Sequence, residues 1–296
     1  MEIRQLHSFR EVVREGSFTA AARRLHMTQP AISLHVKALE KEVGARLMDR
    51  DARGVRLTPA GEVLLEAAEA ILGTVEDCRR RITEMEAPER GTLLLACGDT
   101  VALHVLPPIL AAFRTLRPRA EITIRNHGSR RILDQVLRRE ADLGIVTLPP
   151  WLHPALEARV LLEEPFWLAL PPGHGLAGRE AIGLAALDGR PAVLLAPPSQ
   201  TRGVIDRALG KAGVELRVVM ESGNLEVVKA YVAGGMGLSI LPAMAIEGSP
   251  PEGLVLVPLP DDFPRRQIAL VRRRDRPPTL LASDLLRLFA ERFAGD

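Results

Sequence analysis

The chain is predicted to be an α/β protein preceded by an all-α winged helix-turn-helix, and three observations predict it. Residues 17–40 contain two short helices joined by a tight turn. From Ala60 to Met85, apolar residues recur at a sustained heptad-like spacing. From Thr92 onward, candidate strands and helices alternate, the pattern of sheets covered by helices.

The helix pair starts at Ser17, a residue type whose hydroxyl caps an otherwise unpaired backbone N–H. Ala20, Ala21 and Ala22 keep the first helix slim enough for close crossing, and His26-Met27 falls in the turn. Thr28 offers the second cap, and Pro30 sits in the first turn of the second helix, where its missing N–H costs nothing. Ile32, Val36 and Leu39 recur at i, i+4, i+7 as a buried stripe. Thr28, Gln29, Pro30, Ser33, Leu34 and Lys37 cluster at the helix start and on its opposite side, a face suited to a DNA major groove. An amphipathic helix with Leu6, Phe9, Val12 and Val13 can pack on the pair.

After the second helix, Gly54 punctuates two short extended pieces, which read as a hairpin or wing carrying Arg50, Arg53 and Arg56 toward phosphates or a minor groove. Charge agrees. Residues 1–58 hold 11 Lys/Arg against 7 Asp/Glu, whereas residues 59–90 hold 4 against 8, although the whole chain is only +2. Thr58-Pro59 then opens a long helix with Ala60, Leu64, Ala67, Ile71, Val75, Cys78, Ile82 and Met85 as its seam. One long helix tied to a small domain has nothing of its own to cover that seam, so a second copy is the expected partner. Pro88 and Gly91 end it.

Beyond the boundary, strands are expected at 93–97, 121–126, 142–147, 166–170, 192–195, 216–221, 238–241 and 268–271, with helices at 107–116, 132–138, 201–212, 225–233 and 279–293, all arranged as parallel sheets. Ligands in such domains bind at the carboxyl ends of strands. Cys78 and Cys97 lack metal-ligand spacing, and two isolated cysteines suggest a reducing compartment. No signal peptide is visible and no apolar run approaches the ~18 residues that span a bilayer, so a cytoplasmic protein with no membrane partner is expected. Gly234-Gly235-Met236-Gly237 lacks the Lys-Ser/Thr of a phosphate loop and reads as a turn; His127, beside Gly128, could touch a ligand but reads better as a surface histidine; no catalytic or metal constellation stands out.

The chain closely resembles the LysR-type transcriptional regulators. The resemblance rests on Gln5-Leu6 and Phe9, on Gly16-Ser17-Phe18, Ala21-Ala22, Leu25, Thr28 to Ser33, Leu39-Glu40, Gly44, Leu47 and Arg50, and on Leu57 to Gly61. It continues more loosely through Leu106-Pro107, Phe113, Pro118, Ala141 to Ile145 and Val232 to Pro242. Two departures stand out: Leu34 where many relatives carry Arg, and Met48 where Phe is usual.

The resemblance implies a winged helix-turn-helix at 1–58, a dimerising linker helix at 59–90 and an effector-binding domain at 91–296. That last domain is expected to have two α/β subdomains like a periplasmic solute-binding protein, about 91–163 with 266–296, and about 164–265. The chain would cross near Glu163-Glu164-Pro165 and return near Phe263-Pro264. Implied partners are double-stranded DNA at an interrupted palindrome, further copies of the chain as homodimer and homotetramer, a small-molecule coinducer in the cleft that alters DNA bending, and RNA polymerase. No cofactor is implied beyond that effector, whose identity the sequence leaves open.

Carried over position by position, the cleft residues are Asp99, Thr100 and Val101 after the first strand, Ser129 after the second, and Thr147 ending the third, with Ser199, Gln200, Thr201, Arg202 and Asn224 across from them. Hydroxyls and helix-start N–H groups suit a small anion, with Arg202 or Arg130 as charge partner, although Asp99 would oppose one. Two other readings stay open: an α/β enzyme with a helical appendage, and a DNA-organising protein without an effector.

Overall fold

The computed structural model describes residues 1–51, 54–86, 91–179, 182–246 and 253–293, with backbone only at 50, 51, 80, 81 and 83–86. It divides into two compact units, Met1–Glu86 and Ala87–Asp296.

In the first unit, α1 (Ile3–Glu15), α2 (Phe18–Arg24) and α3 (Gln29–Val43) enclose Phe9, Val12, Ala21, Ile32 and Leu39. Ser17 caps α2, its Oγ accepting the Ala20 N–H at 3.3 Å. Thr28 occupies the cap position of α3, but its side chain makes no cap hydrogen bond. His26 takes the left-handed turn conformation at φ 53°. Two polar contacts fix the helices: the buried Glu11 pairs with Arg24 at 2.7 Å, and Ser8 Oγ lies 2.7 Å from His35 Nδ1. The wing is an antiparallel pair, β1 (Met48–Asp51) with β2 (Gly54–Leu57), and the Val55 N–H donates to the Gly16 carbonyl at 3.3 Å.

Thr58 opens α4 (Pro59–Glu86), accepting the Gly61 N–H at 3.0 Å while donating to the Arg46 carbonyl at 2.6 Å. Gly61 is required there, since a Cβ would stand 2.0 Å from the Leu47 carbonyl oxygen. The expected seam needs correcting. Leu64, with Ala68 and Leu72, is buried in the unit's own core. The stripe left in solvent is Val63, Ala67, Ile71, Cys78 and Ile82, with Val63 72% and Ile82 51% exposed. Among the described residues the helix has two apolar faces, one packed into the unit's core and the other exposed. The Met85 side chain lies outside the described residues.

The second unit holds two sheets. The first contains β3 (Thr92–Cys97), β4 (Glu121–Asn126), β5 (Leu143–Thr147) and β6 (Leu156–Glu164), with α5 (Asp99–His104), α6 (Leu106–Leu116) and α7 (Ser129–Leu137). At Pro165 the chain passes into the second sheet and its helices. These are β7 (Phe166–Leu170), β8 (Pro191–Leu195), α8 (Gln200–Lys211), β9 (Arg217–Ser222), α9 (Leu225–Ala233), β10 (Ser239–Pro242) and β11 (Val255–Pro258). It returns as β12 (Arg266–Arg273) and ends in α10 (Leu280–Arg292).

The first sheet runs β4-β3-β5-β12-β6, and in the second β10-β7-β11 is bridged to the parallel pair β8-β9 through Ala192 and Leu238. Purely parallel sheets were expected, but both are mixed. β12 is antiparallel to β5 and β6, because a strand returning from the other half enters this sheet from the opposite end. α5, β6 and β11 add to the expected elements, and Asp99 to Val101 lie in α5 rather than in a loop. Separate cores lie beneath each sheet, one around Leu95, Phe113 and Leu285 and the other around Leu168, Leu194 and Ile240. Among the described residues no helix is long and apolar enough to cross a membrane, and no cluster of His, Cys, Asp and Glu could hold a metal.

Candidate functional site

Two surfaces have the chemistry of a site. The first is the outer face of α3. Ile32, Val36 and Leu39 are at most 2% exposed, and the Ser8–His35 contact fixes the helix rotation. The opposite side therefore faces out: Thr28, Pro30, Leu34 and Lys37 are exposed and Gln29 and Ser33 half-buried. A polar stripe of Gln, Ser and Lys on a helix anchored this way can offer hydrogen bonds to base edges and charge to phosphates. Leu34, 67% exposed, contributes apolar contact only. On the wing, Arg56 is exposed on β2, and Arg50 lies on β1 opposite Val55. Arg53 lies outside the described residues.

The second is a cavity of about 330 Å³ between the two halves of the C-terminal unit. Of the predicted residues, Asp99, Thr100, Val101, Ser129, Thr147, Ser199, Gln200 and Thr201 line it, at the carboxyl ends of β3, β4, β5 and β8. Helix starts converge because β3, β4 and β8 each run directly into a helix, α5, α7 and α8. Gly128 precedes α7, and Ser199 caps α8, its Oγ accepting the Arg202 N–H at 3.3 Å. The first N–H groups of such helices have no acceptor within the helix and attract anions.

Arg202 and Asn224 do not line the cavity. The Arg202 guanidinium is engaged elsewhere, with Asp206 at 2.6 Å, Glu221 at 2.8 Å and the Leu195 carbonyl at 2.8 Å. The i, i+4 spacing to Asp206 on α8 turns it along the helix. Arg130 is likewise exposed and outside the lining. Asn224 caps α9, accepting the Glu226 N–H at 2.8 Å, and its amide donates to Asp99 at 3.2 Å, a contact made across the cleft.

Arg266 and Asn126 are cavity residues that the sequence reading missed, and His127 lines the cavity although the surface reading of it was preferred. Arg266 opens β12 and is 3% exposed. Its Nε donates to Glu164 Oε1 at 2.6 Å, and Glu164, at the end of β6, also accepts the Met244 N–H at 2.6 Å. The two places where the chain passes between halves are thus joined by one buried ion pair. Burial pulls the Arg266 pKa down and Glu164 opposes this; a guanidinium remains charged throughout. Its Nη1 donates to Thr201 Oγ1 at 3.3 Å, which in turn lies 3.3 Å from Thr147 Oγ1. Because a guanidinium only donates, the Thr201 hydroxyl proton is directed at Thr147 or at a ligand. The pair presents donors to the cavity. The signal for Arg266 was a basic residue beside the return crossing, opposite an acidic residue at the outbound one.

His127 is not merely a surface residue, since it lines the cavity; partial burial, then Arg131 and Arg125, lower its pKa, which favours its neutral form. Burial, aided by the Asp99 charge, pushes the Cys97 thiol up to about 12, so it behaves as a neutral core residue.

Comparison with known proteins matches both units. Residues 3–62 match the bacterial regulatory helix-turn-helix protein, lysR family, and residues 86–294 match the LysR substrate binding domain. The chain is 32% identical over 277 residues to the uncharacterized HTH-type transcriptional regulator YfeR of Shigella flexneri, covering 93% of this chain and 88% of that one. It is 32% identical over 247 residues to the HTH-type transcriptional regulator AlsR of Bacillus subtilis, covering 83% and 82%. Among solved structures, CbnR, a LysR family transcriptional regulator, is similar over 100% of both chains with TM-score 0.69 and 26% identity. CbnR in complex with its target DNA gives TM-score 0.68 at 26% identity, covering 99% of each chain. Matched in both units, the chain belongs to the LysR family of DNA-binding transcriptional regulators with an effector-binding domain.

Proposed function

We propose that this regulator reads an interrupted palindrome through α3 and the wing, as a dimer joined along α4, and that a small effector with an anionic group, bound between the halves of the C-terminal unit, sets DNA bending and transcription. The observation that carries the DNA part is the outward polar stripe of Gln29, Ser33 and Lys37 on an α3 whose other face is fully buried. The exposed stripe Val63, Ala67, Ile71, Cys78 and Ile82 supports the dimer, and two such dimers give the tetramer common in this family. Thr147, Thr201 and the starts of α7 and α8 support an anionic group in the cleft. The effector is the only small molecule this reading calls for. Contact with RNA polymerase and a cytoplasmic location follow from the same assignment.

Selecting genomic fragments that the full chain binds would supply both an operator and, from the neighbouring genes, candidate effectors. Thr100→Val and Thr201→Val should then bind the operator as the parent does and respond to effector ten- to a hundredfold more weakly, because a hydrogen bond to a charged group is worth about 1.5–3 kcal/mol. Unchanged effector response in both variants contradicts the cleft assignment.

A further inference from the structure

The charges lining the cavity do not suit a simple anion. Among the described residues its ionisable side chains are Asp99, His127 and Arg266. Arg266 is neutralised by Glu164, and desolvation with Arg131 and Arg125 lowers the His127 pKa, which favours its neutral form. Asp99 therefore leaves the wall with a net negative charge. Its Oδ1 accepts from the Asn126 amide at 2.9 Å and its Oδ2 from the Asn224 amide at 3.2 Å. Both partners are neutral, and among the described residues no Lys, Arg or His forms an ion pair with it. Two carboxylate oxygens offer about four acceptor sites, so these amides leave capacity for further donors. The Asn126 and Asn224 amides come from opposite halves of the cleft and hold the carboxylate in place.

Elsewhere in the same cavity the polarity is reversed. Thr201 receives a hydrogen bond from Arg266 and shares one with Thr147, so one hydroxyl proton of the pair is left for a ligand, and Gln200 and Thr201 bring the first N–H groups of α8. Both hydroxyl-bearing residues are at least nine-tenths buried. One cavity thus joins a donor-rich pole to an unneutralised carboxylate. Its volume of about 330 Å³ is at the low end for ligand pockets, the scale of a small metabolite.

We infer that the effector is a small zwitterion of amino-acid type, its carboxylate held by Thr147, Thr201 and the start of α8 and its ammonium group by Asp99. This rests on the cleft being the effector site. An ammonium group has three donors and no acceptor, the complement of a carboxylate whose present partners are neutral amides. Seated so, the ligand would tie Asp99 and Thr147 of one half to Thr201 of the other, alongside the Asp99–Asn224 contact.

The test is a thermal-shift series on the full chain with three matched sets of probes: free amino acids including 4-aminobutanoate, their N-acetyl derivatives, and their carboxamides, with sulfate as a further anion. At least one free amino acid should raise Tm at millimolar concentration, while its N-acetyl and amide counterparts fail to do so. Asp99→Asn should weaken the response to that amino acid at least tenfold and narrow its margin over the N-acetyl form. Should Asp99→Asn fold poorly, the three probe sets on the parent chain decide alone. Equal or greater stabilisation by sulfate or an N-acetyl derivative would overturn the zwitterion and leave an anionic effector standing. Stabilisation by amides alone would overturn both. No response to any free amino acid would also overturn this inference, while the Thr100→Val and Thr201→Val comparison continues to decide whether the cleft is the effector site.

Discussion

The two units set their working polar residues in opposite surroundings. On α3, Lys37 stands in solvent and Leu34 is 67% exposed, whereas in the cleft Thr147, Thr201 and Arg266 are 9%, 5% and 3% exposed. The core residues of α3, Ile32, Val36 and Leu39, lie on its other face, so the stripe is placed to serve a partner that arrives at the surface. The cleft residues hold one another as well as any ligand, so a change there acts on stability and binding together. A surface reader can be altered residue by residue, while a buried sensor has to be altered as a network.

The largest effect should come from breaking that network. Arg266→Met leaves Glu164 charged and buried, with the Met244 N–H as its remaining donor. The C-terminal unit should lose about 3–5 kcal/mol by denaturant unfolding, and adding Glu164→Gln should recover much of it, since removing both charges of a buried pair is far milder than removing one. A single-variant loss no larger than that of a surface substitution would break the contrast. Next comes the exposed face of α4. Ile71→Glu with Val75→Glu should cost the monomer little, because Ile71 is already 37% exposed and Val75 half-buried. In a dimer the same charges would have to be desolvated in the seam, at several kcal/mol each. Sedimentation of a 1–90 fragment should therefore change from dimer to monomer with the helix content kept, and a monomeric parent fragment would remove the seam from the account.

The same contrast explains what could be read from the chain beforehand. Ser17 and Thr58 were legible as caps because each bonds a backbone N–H three residues on, and such local chemistry is written in the sequence. The stripe Ile32, Val36, Leu39 was legible because a helix anchored on one side shows its period. β6 escaped because its run of Leu156 to Glu164 alternates poorly, with three consecutive exposed residues at 158–160. The antiparallel β12 depends on where a distant crossing returns, which no local pattern states. Arg202 was assigned to the cleft from its place at the start of α8, yet the i, i+4 partner Asp206 was already visible and redirects it. Thr147 and Thr201 were reached only through the family resemblance; their juxtaposition across 54 residues is a product of the tertiary fold.

The smallest expected effect on stability, and the most direct test of the central claim, lies on α3. Lys37→Ala should leave the unfolding of the first unit within about 0.5 kcal/mol of the parent, as exposed substitutions away from core and caps do, and Gln29→Ala, half-buried at the start of α3, within about 1 kcal/mol. The measurement is operator binding by the full chain against a set of single-base operator variants, repeated across a salt series. Gln29→Ala should reorder the preferred operators, because glutamine reads base edges. Lys37→Ala should weaken all of them alike and reduce the slope of log affinity against log salt by about 1. Reordering by Lys37→Ala, with uniform weakening by Gln29→Ala, would contradict the placement of α3 in the groove.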